Sequence, residues 1–172
     1  MGKIVGVDDA GRGCIIGPLV VAGVLINEDK IKNLVEVGVK DSKLLSYNMR
    51  NSLSSIIKRT ADEVNIQRIP VAKIDKYVIH GVKNKKLNYL EALTMGKVVR
   101  ELDADVYYID ASDVNPNRFG KYVLESSGKN VKIISVHKAD QLYPVVSASS
   151  IIAKVERDRA VKRLKKIYGD FG

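Results

Sequence analysis

Lys3-Ile4-Val5-Gly6-Val7-Asp8-Asp9-Ala10-Gly11-Arg12-Gly13 runs an apolar, β-branched segment straight into two carboxylates and a glycine-bracketed arginine. Ile4, Val5 and Val7 favour a buried strand, while Gly11 and Gly13 permit a tight turn and let a ligand approach the main chain closely. Adjacent carboxylates repel each other unless protons, cations or donors neutralise them. A hard divalent cation, Mg2+ or Mn2+, is the natural partner, because it takes oxygen ligands and tolerates retained water. A lone Asp-Asp is more often a solvated turn after a strand, so the metal reading requires further carboxylates at the same place.

Two more segments supply them. Ala104-Asp105-Val106-Tyr107-Tyr108-Ile109-Asp110 is again an apolar and aromatic strand closed by an aspartate, with Ala111 and Ser112 following. Asn130-Val131-Lys132-Ile133-Ile134-Ser135-Val136 leads into His137-Lys138-Ala139-Asp140, after which Pro144 marks the first turn of a long helix. Strands separated by helical segments are usually parallel neighbours, so their C-terminal ends share one edge of the sheet. Topology therefore predicts that Asp8, Asp110 and Asp140 meet there.

The rest of the chain completes the pattern. Leu19 to Ile26 reads as a second buried strand, reached through Gly17-Pro18 and expected to return as an antiparallel hairpin. Ser46 to Arg59 reads as a helix, N-capped by Ser46, with Met49, Leu53, Ile56 and Ile57 on its core face. Val64, Ile66 and Arg68-Ile69 suggest a half-exposed third strand. Lys85 to Leu102 is helical, with Leu87, Leu90, Leu93, Met95 and Val98-Val99 spaced for a core face. Strand 104–110, a polar loop with a short helix, strand 130–136 and a helix over 144–167 follow. No repeat, low-complexity tract or heptad run is present. Three strands in hairpin order and two strand-helix crossovers give an α/β fold with a five-stranded mixed sheet, order 3-2-1-4-5, and helices on both faces. This is the ribonuclease H-like arrangement.

The 172 residues suit a single domain, 1–172. Lys and Arg number 29 against 20 Asp and Glu, a net charge of +9, so a polyanionic partner fits, although charge alone does not identify it. The single Cys14 excludes an intramolecular disulfide and suits a reduced compartment; beside the turn it reads as a small packing residue. No apolar run approaches the ~20 residues that cross a bilayer, so a cytoplasmic protein without a membrane partner is expected, and nothing demands more than a monomer.

Five ordered blocks then resemble one family, ribonuclease HII, or type 2 ribonuclease H. They are Gly6-Val7-Asp8-Asp9-Ala10-Gly11-Arg12-Gly13, Val39-Lys40-Asp41-Ser42-Lys43-Leu44, Tyr108-Ile109-Asp110-Ala111, His137-Lys138-Ala139-Asp140, and Tyr143 through Lys154. Leu87-Asn88-Tyr89-Leu90-Glu91 is similar to archaeal members in particular. The resemblance implies that Asp8, Asp9, Asp110 and Asp140 are catalytic and hold two divalent ions, Mg2+ or Mn2+, with Asp8 bridging them. It implies cleavage of RNA in RNA/DNA hybrids and on the 5′ side of ribonucleotides embedded in duplex DNA, leaving a 3′-hydroxyl and a 5′-phosphate. What must be read is then a 2′-hydroxyl rather than a base.

In that family the loop matching Gly11, Arg12 and Gly13 contacts the ribonucleotide and its flanking phosphates. Arg12 either pairs with phosphate through its planar fork or forms a structural ion pair with Asp9 or a helix end. Lys43 matches a position near a phosphate; its bland alternative is an exposed loop lysine. His137 reads as structural, since a hydrated metal supplies the nucleophile. Ser147, Ser149 and Ser150 lack a glycine elbow and read as small residues that let a helix approach the sheet. Of Tyr107 and Tyr108, alternation puts one in the core and one against a helix. The basic run Arg157, Arg159, Lys162, Arg163, Lys165 and Lys166 reads mostly as a solvated face that offsets the helix dipole.

Two departures from the family bear on activity. Asp9 stands where the family has glutamate, one methylene longer, and this predicts weaker activity or a Mn2+ preference. The family also continues through a glycine-tyrosine-proline segment and further helices beyond residue 172; a protein that lacked them would be expected to show poor substrate affinity and weaker selection for the DNA junction. A sliding-clamp motif would lie in that region, so a clamp partner is not legible. The alternatives are a related carboxylate nuclease of the same fold, a type 3 enzyme, which lacks the arginine between these glycines, and a hybrid-binding module that does not cut.

Overall fold

A computed structural model of the chain describes residues 2–14, 16–39, 45–81 and 85–170. The apolar runs form five strands: β1 (Lys3–Ala10), β2 (Leu19–Asn27), β3 (Glu63–Ile69), β4 (Val106–Asp110) and β5 (Lys132–Val136). Helices α1 (Ile31–Glu36), α2 (Tyr47–Thr60), α3 (Val71–His80), α4 (Leu87–Glu101), α5 (Pro116–Ser127), α6 (Ala139–Leu142) and α7 (Pro144–Tyr168) surround them. The strand order is β3-β2-β1-β4-β5, as the pattern predicts. β2 runs antiparallel to β1, from Lys3 opposite Asn27 to Ala10 opposite Val20. β4 pairs parallel with β1 and β5 parallel with β4, so these three strands end on one edge.

Side-chain alternation along the central strand divides the core in two. Ile4 and Ala10 point with Val20, Ala22 and Val24 toward α2 and α7. Val5 and Val7 point with Leu19, Val21 and Leu25 toward α4 and α5. Asp8 continues the first set and Asp9 the second, so the two neighbouring carboxylates leave β1 on opposite faces of the sheet.

At Gly6 the main chain of α7 comes directly against β1. A Cβ built there would lie 2.4 Å from the main-chain carbonyl of Val145 and 2.6 Å from the Val146 nitrogen, both in the first turn of α7. Ser149 Oγ donates to the Gly6 carbonyl at 2.8 Å and to Val145 O at 3.0 Å, and Ser147 Oγ donates to Val39 O. The serines thus serve close packing, as expected. Gly6→Ala forces backbone against backbone and is expected to cost about 3 kcal/mol or more. For a chain of this length that corresponds to a fall of roughly 6–12 °C in thermal midpoint; an unchanged melting curve would contradict the packing.

Some details differ from the sequence reading. Met49 is 55% exposed rather than on the core face of α2, where Leu53 and Ile57 are buried as expected. Cys14 is exposed and packs nothing. α1 and α3 were not predicted; α3 buries none of its residues and carries Val71, Val78 and Ile79 outward. Its β-branched residues are poor helix formers, and only Ile74 and Tyr77 pack, partly buried, against the core. Tyr107 is the core tyrosine, its hydroxyl bonded to Leu102 O at 2.7 Å, while Tyr108 packs on Tyr143 at the start of α7, with ring centroids 4.3 Å apart.

Candidate active site

The ends of β1 and β4 and the short α6 after β5 bring Asp8, Asp110 and Asp140 to one edge. Asp8 and Asp140 are both buried, 7% and 6% exposed. Asp8 Oδ1 accepts the main-chain N–H of Asp9 at 2.7 Å. Asp110 Oδ1 accepts the N–H of Ala139 at 3.0 Å, which ties the end of β4 to the start of α6 one residue before Asp140.

Burial pushes Asp8 up to about 7, and the charges of Asp110 and Asp140 push the same way against hydrogen bonds from Ser150 and from the Asp9 main chain. Asp9 is also raised well above the usual carboxylate range, by burial first, then by Glu91, Asp8 and Asp110, with Arg12 opposing. Such a set of buried oxygen donors fits a hard divalent cation by its chemistry. Among the described residues no three His, Cys, Asp or Glu side chains stand ready-gathered as ligands.

The turn after β1 is built on glycine. Gly11 has φ +103° and Gly13 φ +73°, both in the left-handed region, and the N–H of Cys14 closes the turn onto Gly11 O at 3.2 Å. A Cβ on Gly11 would also strike the Arg157 side chain and Pro18 O, each at 2.8 Å. Arg157 Nη2 in turn donates to Ile16 O at 3.2 Å, which fastens the outer part of the loop to α7.

Arg12 forms an ion pair with Glu91 rather than with Asp9. Its Nη1 donates to Glu91 Oε2 at 3.1 Å and to Ser112 O at 2.8 Å, and its Nη2 donates to Asn88 Oδ1 at 2.6 Å. Glu91 lies in α4 with its side chain fully buried, and Ser112 Oγ donates to the same Oε2. Sequence reasoning placed Leu87 to Glu91 among the family-like blocks without giving Glu91 a role. The available signal was a glutamate on the apolar face of an amphipathic helix, which is costly to bury without a partner.

Other predicted residues fall around this edge. His137 Nε2 lies 2.7 Å from Asp113 O, joining the end of β5 to the loop after β4, a structural position. Ser150, read only as a packing residue, also reaches Asp8. The basic residues of α7 are largely paired within the protein: Arg159 with Glu156 at 2.9 Å, Lys165 with Asp170 at 2.7 Å, and Lys162 over the Tyr47 ring at 3.8 Å. Lys43, and most of the block that contains it, lies outside the described residues. Hollows of about 710, 640 and 390 Å³ occur elsewhere on the surface, and none is lined by any of the four aspartates.

A five-stranded sheet of this order is that of the ribonuclease H fold, and aspartates gathered at the edge where its parallel strands end suit a metal-dependent nuclease. The family model for Ribonuclease HII matches residues 5–172. A Ribonuclease HII from Cenarchaeum symbiosum is 45% identical over 96% of this chain and 78% of its own length. The crystal structure of the ribonuclease H2 from Pyrococcus horikoshii OT3 superposes with a TM-score of 0.90 at 38% identity, covering 99% of this chain and 79% of that one. The Archaeoglobus fulgidus RNase HII solved in complex with PCNA gives 0.86 at 38% identity, covering 98% and 78%. The chain belongs to the ribonuclease HII family. It is a type 2 ribonuclease H, an endonuclease of a family that acts on RNA/DNA hybrids and depends on divalent metal.

Proposed function

We propose that this chain hydrolyses RNA paired with DNA, and cuts on the 5′ side of single ribonucleotides within duplex DNA, leaving a 3′-hydroxyl and a 5′-phosphate. The observation that carries the reading is the convergence of Asp8, Asp110 and Asp140 at one sheet edge, with Asp8 raised to about 7 by burial and by its acidic neighbours. Carboxylates held in that state favour cation binding over solvation. Asp8, Asp9, Asp110 and Asp140 are the residues that would hold Mg2+ or Mn2+. Two divalent ions in such a site stabilise the charge on the entering and leaving oxygens of an in-line displacement.

The protein's own part is to present these carboxylates beside a glycine-built loop. Gly13, where a Cβ would meet nothing within 4 Å, leaves its main chain open to the sugar, where a 2′-hydroxyl can both donate and accept, and this separates RNA from DNA without reading a base. The net charge of +9 adds sequence-independent attraction for the duplex. An end-labelled DNA duplex with a single ribonucleotide, incubated with Mg2+ or Mn2+ beside an all-DNA control, tests the reading. A metal-dependent cut immediately 5′ to the ribonucleotide, absent from the control, is expected. No cut with either ion would leave a hybrid-binding module.

Asp9 sharpens the test. It leaves β1 on the α4 face, away from Asp8, with a side chain one methylene shorter than the family's glutamate, so its reach around the sheet edge is reduced. Asp9→Glu is expected to raise the Mg2+-supported rate about ten-fold and to narrow the preference for Mn2+. Equal or lower rates with both ions would show that the shorter arm is already well placed.

A further inference from the structure

Resting on the reading of Gly11 to Gly13 as the substrate loop, one buried group acquires a role that packing does not explain. Glu91 has no exposed side-chain surface, yet it lies on the helix face that Leu90, Met95 and Val98 use for the core. A carboxylate there costs several kcal/mol in desolvation, and an apolar residue of similar volume would serve packing better. Its Oε2 accepts from Arg12 Nη1 at 3.1 Å and from Ser112 Oγ, while Oε1 has no hydrogen-bond partner among the described residues. Glu91 is thus bonded on one side only, toward the loops that follow β1 and β4.

Arg12 is correspondingly occupied. Its two terminal nitrogens make three bonds, to Glu91, Asn88 and Ser112 O; the Glu91 carboxylate is fully buried, while the bonds to Asn88 and Ser112 O lie at the surface. The guanidinium therefore spans three separate pieces of the molecule: the turn beside Asp9, the N-terminal part of α4, and the segment two residues beyond Asp110.

We propose that Glu91 is a positioning residue for the substrate loop: through Arg12 and Ser112 it sets the main chain of Gly11 to Gly13 against Asp9 and Asp110, with Arg12 as the strut of that arrangement rather than a phosphate ligand. A hydrogen-bonded charge pair with fixed fork geometry suits this task, because it fixes direction as well as distance. The loop that meets the sugar and the strand ends that carry the aspartates then move as one unit.

A double-mutant cycle tests the assignment. Glu91→Met fills the same volume without an acceptor, Arg12→Ala removes the strut, and the pair is combined; Glu91→Gln keeps an oxygen at the Oε2 position for both donors. On the single-ribonucleotide duplex, Glu91→Met and Arg12→Ala are each expected to lower kcat by 10- to 100-fold, with KM moving less than about three-fold. The double variant is expected to match either single, since both break one linkage. Glu91→Gln is expected to stay within about three-fold of the parent. Binding measured in an Asp110→Asn background is expected to keep its dependence on salt after Arg12→Ala.

Multiplying losses in the double variant would overturn the proposal. So would a salt slope reduced by about one in Arg12→Ala, the mark of a lost phosphate contact, or a Glu91→Gln as impaired as Glu91→Met. Amide hydrogen exchange of the Gly11 to Cys14 segment needs no substrate, so it reads the proposal even if the parent cuts nothing. Faster exchange in both single variants is expected, and unchanged exchange would refute the strut independently of the catalytic reading.

Discussion

Asp110→Asn will abolish cleavage of the ribonucleotide-containing duplex while leaving the duplex bound. The substitution preserves shape, and the asparagine oxygen can still accept the Ala139 N–H that Asp110 accepts at 3.0 Å, so the junction between β4 and α6 is retained. What it removes is one negative charge from the edge shared with Asp8 and Asp140. Placing charge where it develops in a transition state is typically worth two to three orders of magnitude in rate for a single group. A carboxylate that also holds a cation is expected to exceed this, so a loss of about 10³-fold or more in kcat is the predicted result. Removing a negative charge from a site that receives phosphates should leave the dissociation constant equal or lower. A variant that cuts normally would remove Asp110 from the machinery. Loss of cutting together with loss of binding would instead indicate that the edge had collapsed, and the melting curve separates that case.

The parts of this molecule legible in its sequence are those where one physical demand dominates. β1 and β2 are buried on both faces and read as continuous apolar runs, and the crossovers between β1, β4 and β5 fix parallel order, so the strand sequence followed from pattern alone. Ser46 caps α2 by accepting the Met49 N–H at 3.3 Å, and Pro144 opens α7, both as local rules require. The convergence of Asp8, Asp110 and Asp140 followed from topology, because three parallel strand ends have only one edge to share.

Where two demands compete, sequence was less informative. Glu91 satisfies helix periodicity and looks like an error on an apolar face, since its partner Arg12 is 79 residues away and no local pattern links them. Arg12 offers five donors that suit phosphate and carboxylate equally, so its commitment to Glu91, Asn88 and Ser112 required coordinates. Met49 lies on the helical stripe of α2 but at its exposed first turn, where spacing predicts a face and not a depth.

The same carboxylate edge makes the metal-free protein less stable as pH rises, and Asp8 shows why. In an unfolded chain an aspartate titrates near its ordinary value of 3.8, whereas in the fold burial, and after it the charge of Asp110, raises Asp8 to about 7. The folded state therefore binds a proton more tightly than the unfolded one. Stability from this group is fully present below about pH 4 and is lost as pH climbs through about 7. Asp9 is raised as well and acts in the same direction. Asp62, Asp113 and Glu156 are lowered by their basic or main-chain partners and act in the opposite sense, losing stability as pH falls below the ordinary carboxylate range. The balance places the most stable metal-free state in mildly acid solution. At about 1.4 kcal/mol per pKa unit, the Asp8 contribution is on the order of a few kcal/mol. In chelator, the thermal midpoint is expected to fall by roughly 5–10 °C between pH 5 and pH 8. Mg2+ or Mn2+ at pH 8 is expected to restore it by mass action on the folded state. Asp8→Asn is expected to flatten the pH dependence and raise the midpoint at pH 8 while eliminating cleavage, a stability gained because the charge the reaction needs has been removed. A midpoint equal at pH 5 and pH 8, or an Asp8→Asn variant that melts lower at pH 8, would show that this edge is not the source of the strain.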